Sequence, residues 1–421
     1  MQQEKFTVIK SNPTFQSEIY VTDRFIHRCI VFVIWQKINQ ESWMANLISR
    51  ILSRGTKKFL RSYELSRYLY SLYGTYLDGS LTKWGSNLVY TLTIKSLIPE
   101  NWKDTLSPSL DLALEMMLNA HWDHGLLFEP YFEEERKNML IELKDLKNDR
   151  FWYAFEEFIQ WMFSEEPFGL SILGTPGNIN SIQNAGATKY YSNNFLHQNR
   201  MLFFVDGGMT DEYKNTVNDY STFSSNETPC HDLGQNFNPK TPVKRKTEND
   251  KIQQSWIFMG YRMRYDFDNE LYPALLILNH LLGGHSNSIL FRKIREEKGI
   301  CYFVNSSLPA GINSLIVTGG ILWKNHRLFE GMVEEEINYL SNHEVSTEVL
   351  AISKDLTLSS IESISDHPFQ LISIRIESIL FHRIQNIEDF IQKIKKVSQQ
   401  EIRMAANLLR LDSVYILKGI E

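Results

Sequence analysis

Cysteine is scarce in this sequence. Its three cysteines, Cys29, Cys230 and Cys301, are odd in number and widely spaced, so they form neither a disulfide framework nor a CxxC metal knuckle. No long lysine/arginine run is present, and the net charge is -6; both argue against a nucleic-acid surface. No apolar run approaches the ~20 residues that a membrane helix needs. The first residues, MQQEKFTVIKSNPTF, show no basic stretch leading into an apolar one, so no secretory signal is visible and the expected location is the cytoplasm. Phosphate loops are missing too: Gly207-Gly208 and Gly283-Gly284 have neither GxGxxG nor GxxxxGK spacing.

What is present describes a globular protein. The 421 residues, 43% hydrophobic and 22% charged, suggest two or three domains. Aromatic residues at 13% are enough for substantial cores and for a peptide-binding surface. Phe25 to Trp35 reads as a central strand, and Ser42 is placed to cap the helix after it. Met44, Leu47, Ile48, Ile51 and Leu52 then form one buried helical stripe. Strands are predicted around Leu77–Leu81, Leu88–Ile94 and Met201–Val205, and a long helical tract over Phe132–Phe163.

Residues 222–250 are rich in Ser, Thr, Asn, Pro and Lys with little apolar periodicity, and they read as a linker. The order then begins again: strand Gln254–Arg262, helix Glu270–Leu282, strand Leu315–Leu322, helices His326–Asn342 and Thr347–Leu380, strand Ser413–Lys418. The expected fold is α+β with two similar domains, 1–221 and 251–421, each a mixed or antiparallel sheet packed against helices. Between the repeats' helices, His121-Trp122-Asp123-His124 offers two histidines three apart, a weak metal pattern in a short polar segment.

The stretch Gly283–Tyr302, GGHSNSILFRKIREEKGICY, carries the most information. Two glycines end an apolar helix, a polar turn follows, and a second helix runs to Gly299, suited to a left-handed cap. Ile300 to Val304 reads as a strand. Arg295 and Tyr302 lie seven apart across the junction, so a turn could aim both at one space. Locally, Arg295 and Lys298 also suit the negative end of a helix, with Tyr302 packed in a sheet.

This stretch closely resembles the start of the second domain in one half of a pitrilysin/insulinase-type zinc peptidase, and the resemblance extends over essentially the whole chain. In active members an Arg, six residues and a Tyr reach the zinc site of the other half and hold the substrate; here the pair is Arg295 and Tyr302. Active members also carry His-x-x-Glu-His on the first long helix, with two imidazoles binding zinc and the Glu as general base. The Arg54-Gly55-Thr56 end anchors the comparison and puts Asn46, Ser49 and Arg50 at those three positions. The third family ligand is a Glu seven residues after another acidic residue, a spacing met by Glu135 and Glu142. Glu142 is then the leftover ligand position; read from residues alone, the two are carboxylates on one helix face, with Arg50 available to pair with Glu142.

The resemblance implies a non-catalytic subunit of a heterodimeric zinc metallopeptidase. This chain would hold no cofactor, the zinc would sit in a homologous partner with an intact His-x-x-Glu-His, and Arg295 and Tyr302 would complete that site in trans. A peptide or small-protein substrate would add as a strand to Leu77, Asp78, Gly79, Ser80 and Leu81. The alternatives are a scaffold homologue that cleaves nothing, and an autonomous hydrolase using His121 and His124.

Overall fold

A computed structural model describes residues 6–12, 15–97, 105–197, 199–206, 242–263, 270–381, 383–384 and 386–420. The strands gather into two sheets and a small hairpin. The first sheet uses β1 (Phe6–Asn12), β2 (Phe15–Val21), β3 (His27–Lys37), β4 (Tyr76–Trp84), β5 (Asn87–Leu97) and β8 (Asn199–Asp206). Trp122–Asp123 (β6) and Leu126–Leu127 (β7) form the separate hairpin. The second sheet uses β9 (Lys244–Asn249), β10 (Ser255–Met263), β11 (Cys301–Ser307), β12 (Ser314–Ile321) and β13 (Leu409–Lys418).

The two sheets repeat one topology. The first runs β1-β2-β8-β3-β5-β4 and the second β11-β12-β10-β13-β9. Read from opposite ends, β2-β8-β3-β5-β4 matches β9-β13-β10-β12-β11 strand for strand. The directions match as well: β2 with β8 and β9 with β13 are the parallel pairs, and the rest are antiparallel. By this correspondence β4 and β11 are equivalent edge strands. Their hairpin turns meet, with Gly85 N donating to the Ala310 carbonyl at 3.0 Å. Both Gly85 (φ 56°) and Gly311 (φ 74°) are left-handed, and a Cβ on Gly85 would lie 2.5 Å from the Gly311 oxygen. Only glycine permits both the turn and the approach.

The linker expected over 222–250 needs correcting. Residues 222–241 lie outside the described residues, but Lys244–Asn249 is a strand, so the second sheet begins before 251. The segment KRKTEN has no apolar residue because it is an edge strand whose side chains alternate between partly buried and exposed. Its lysine ammonium groups lie over aromatic rings, Lys244 over Trp161 and Lys246 over Tyr415.

Helices cover the sheets, and the helical tracts are shorter than their periodicity suggests. The Phe132–Phe163 tract splits into α4 (Glu129–Asp145) and α5 (Arg150–Met162), after α1 (Ser42–Arg54), α2 (Ser62–Ser71) and α3 (Leu106–Leu118). Asp149 makes the break by accepting from Trp152 N at 3.1 Å, an N-cap that starts a new helix. The tract Thr347–Leu380 breaks similarly, resuming at Pro368.

Each half lends a helix to the other. Helix α5 lays Ala154, Phe158 and Met162 on Phe258, Ile316 and Tyr415 of the second sheet, with Phe158 stacked on Phe258 at 5.5 Å. The helix Pro368–Phe381 lays Leu371, Ile372, Ile376 and Leu380 on Val31, Val33, Met201 and Phe203 of the first. The two halves therefore share their cores. Buried ion pairs mark both crossings. Arg375 donates twice to Glu18, at 2.6 and 2.7 Å, and the Glu18 side chain is fully buried. Arg262 meets Glu166 at 2.5 Å and Asp412 at 3.2 Å. Burial pushes the Glu166 carboxyl up, and Arg262 opposes the rise.

Removing Arg375 would strand a buried carboxylate. Arg375→Ala is expected to cost about 3–5 kcal/mol in urea denaturation at neutral pH. A loss below about 1 kcal/mol, the worth of a surface pair, would show that this pair does not hold the halves together.

Candidate functional site

The amphipathic pattern of α1 puts Leu47, Ile51 and Leu52 in the core. Its other face carries Asn46, Ser49 and Arg50, which lie three and four apart and so share one side. That face is polar, as the sequence suggests, but Asn46 and Ser49 are buried. The loop before Pro176 covers it: Asn46 Nδ2 donates to the Ile172 carbonyl at 3.1 Å. Ser49 Oγ donates to the Asn46 carbonyl at 2.8 Å, and Arg50 Nε donates to Asn46 Oδ1 at 3.0 Å. Nothing in the sequence announced that loop contact, because its acceptor is a main-chain oxygen.

Helix α4 supplies the facing carboxylates. Arg50 Nη2 pairs with Glu142 Oε2, and one turn further along Arg54 Nε pairs with Glu135 Oε1. Glu135 is buried and also accepts from Asn138 Nδ2 at 3.1 Å, while Arg54 reaches Glu134 at 3.3 Å. Glu142 and Glu135, seven apart on α4, thus face Arg50 and Arg54, four apart on α1. Two arginines, through three ion pairs, clasp α1 to α4.

Arg295 and Tyr302 sit in a different setting. The segment Phe291–Glu297 is a π-helix rather than the α-helix expected, a form that concentrates at functional sites. Arg295 is exposed, with its guanidinium 4.5 Å from the centre of the Phe291 ring. Its charge also acts on Cys301, whose thiol burial pushes up to about 11. In β11 the register shifts between Cys301 and Phe303, so Tyr302 is the extra residue of a bulge. The bulge turns Tyr302 outward at 64% exposure, beside exposed Phe303. The alternative local reading, with Tyr302 packed in the sheet, does not hold. The glycines upstream hold this strand in place: a Cβ on Gly283 would lie 2.8 Å from Ser306 N, which donates to the Gly283 carbonyl at 3.1 Å. His285 spends its Nδ1 on Asn287 N, 2.9 Å away.

Leu77–Leu81 lies within β4, which pairs only with β5 among the described residues. Leu77 and Leu81 pack on the core, Asp78 and Gly79 are exposed, and Ser80 Oγ lies 3.2 Å from Thr91 Oγ1. The outer main-chain edge of this strand is open to another strand.

His121 and His124 do not converge. His121 stacks on Phe128 at 4.2 Å, and the His124 side chain, in a left-handed turn residue, is 95% exposed. The reading of this pair as a hydrolase centre has no geometric support.

Residues 185–355 match the family described as the Peptidase M16 inactive domain. A Bacillus subtilis protein described as the probable inactive metalloprotease YmfF is 24% identical over 410 residues, covering 96% of both chains. A conserved protein from Enterococcus faecalis V583 superposes with a TM-score of 0.90 at 18% identity, covering 99% of each chain. A Pseudomonas fluorescens structure described as a peptidase M16 inactive domain gives 0.80 at 14% identity, covering 99% of this chain and 98% of that one. The chain is therefore similar to the M16, or pitrilysin/insulinase-type, peptidases. It has no His-x-x-Glu-His anywhere in its sequence.

Zinc is the metal this similarity implies, and the side chains at the corresponding positions do not fit it. Asn46 is committed to a carbonyl and a guanidinium, and Arg50 sets a permanent cation where a ligand would stand. Among the described residues no three His, Cys, Asp or Glu side chains come together as a metal site. The purified chain is expected to hold well under one zinc by elemental analysis. The triple change Asn46→His, Ser49→Glu and Arg50→His should retain zinc through gel filtration and lose it when Glu142→Ala is added. A folded triple variant that gains none would show that α1 is aligned in the wrong register.

Proposed function

We propose that this chain is the non-catalytic subunit of a heterodimeric zinc metallopeptidase in the cytoplasm. Its partner is a homologous subunit with an intact His-x-x-Glu-His, which carries the zinc. This chain contributes Arg295 and Tyr302 to that site, and helps enclose a peptide or small-protein substrate. The observation that carries the reading is a contrast within one molecule. The positions for metal chemistry are filled by an internal ion pair, whereas Arg295 and Tyr302 are exposed, with no hydrogen bond or ion pair to a described residue. The kinship with a protein described as a probable inactive metalloprotease supports the same conclusion.

The chemistry follows from what the two groups can donate. A tyrosine hydroxyl and a guanidinium are hydrogen-bond donors suited to a substrate carbonyl and to the negative charge that develops on its oxygen. A bulged strand suits the task, since the main chain of β11 fixes where the tyrosine points. The open edge at Leu77–Leu81 offers main-chain donors and acceptors to an extended peptide, which gives binding with little demand on sequence.

Loss of the pair should slow the chemical step and leave assembly intact. In the mixed enzyme, Tyr302→Phe is expected to lower kcat by up to about a hundredfold to a thousandfold, the usual cost of one oxyanion donor. Arg295→Ala should do at least as much and also raise KM, because a group that positions the peptide is lost. Both variants should co-elute with the partner. Wild-type kcat in an assembled complex carrying both changes would exclude a catalytic role and leave a scaffold.

A further inference from the structure

The crossing of Pro368–Phe381 onto the first sheet leaves a cavity beside it of about 420 Å³. Phe6 and Tyr20 line it from β1 and β2, and Leu371, Ile374, Ile387 and Ile391 line it from the second half. Its volume lies within the range of small-molecule sites, which favour junctions between domains and mostly apolar walls. The charge on its wall, Arg375, is satisfied by the two hydrogen bonds to buried Glu18. An aliphatic body therefore suits the interior. Among the described residues the exposed charged groups at the cavity are Arg24, Glu362 and Glu388, so carboxylates outnumber guanidinium groups there.

We propose that this cavity binds an aliphatic group carrying an ammonium, with the hydrocarbon against the isoleucines and the cation beside Glu362 and Glu388. A medium-chain alkylamine and the amino terminus of a peptide beginning with leucine share this chemistry. Because the walls come from both halves, the bound molecule also holds them together and stabilises the chain by mass action.

The test is calorimetric titration of the full chain with octylammonium, octanoate, trileucine amide and N-acetyl-trileucine amide. Octylammonium is expected to bind one to one with a negative heat-capacity change, and at least tenfold more tightly than octanoate at low salt. Tighter binding of trileucine amide than of its acetylated form would assign the site to peptide amino termini. Binding of octylammonium alone would assign it to small amines. Ile374→Trp, which fills the cavity from the crossing helix, should weaken octylammonium at least tenfold. Ile391→Trp fills it from another helix and serves if the first variant does not fold. Absence of saturable octylammonium binding would overturn the proposal. So would octanoate binding as tightly, or unchanged affinity in a tryptophan variant that melts like wild type.

Discussion

Helix α1 is held to α4 by arginine–carboxylate pairs, and much else in the chain follows from that choice. A metal site would join the same two helices through imidazoles and a carboxylate around a dication. Here Arg50 supplies the positive charge from within the chain and Glu142 answers it, while Arg54 and Glu135 repeat the arrangement one turn away. The loop carbonyl of Ile172 closes over Asn46 and completes the polar network. Polar groups buried this way are costly unless each is satisfied, and these are. The helix pair keeps its shape without being able to perform the family's chemistry.

The second constraint is the exchange of helices between the repeats. Each sheet has a face covered by a helix of the other half, and α5, which belongs to the first half in sequence, covers the second sheet. Pro368–Phe381 makes the reciprocal crossing, and the Arg375–Glu18 pair fixes it. One consequence is the meeting of the β4 and β11 hairpins at Gly85 and Ala310, which sets the two open edges in a fixed relation. The open β4 edge and the exposed Arg295 and Tyr302 on such a frame are positioned by packed cores rather than by loops.

Several of these features were legible in the sequence, for physical reasons. Central strands and the α1 stripe announce themselves because burial enforces their periodicity, as in β3 and in Leu47, Ile51 and Leu52. The doubled order of elements was visible for the same reason. Strand β9 was not, because an edge strand of lysines, arginine, threonine, glutamate and asparagine has no apolar pattern to read. The exchange of α5 was hidden because amphipathicity reveals that a face is buried, never against which sheet. In the candidate site, Arg50 could be set beside Glu142 as an available partner, while the positions Asn46, Ser49 and Arg50 came from the resemblance anchored at Arg54-Gly55-Thr56. The bulge that exposes Tyr302 depends on pairing with β12, which one strand's sequence does not record, and the π-helix under Arg295 has no periodicity signal of its own in so short a segment.

The central claim is that the chain has exchanged metal chemistry for a role at another subunit's site. It is tested most directly by co-expressing the chain with a homologous subunit that has an intact His-x-x-Glu-His. Peptide cleavage is then measured for each purified subunit alone and for the two mixed. The account predicts no cleavage by this chain alone, little by the partner alone, and strong zinc-dependent cleavage at one-to-one stoichiometry in the mixture. Full activity of the partner alone, unchanged when this chain is added and co-elutes with it, would contradict the account.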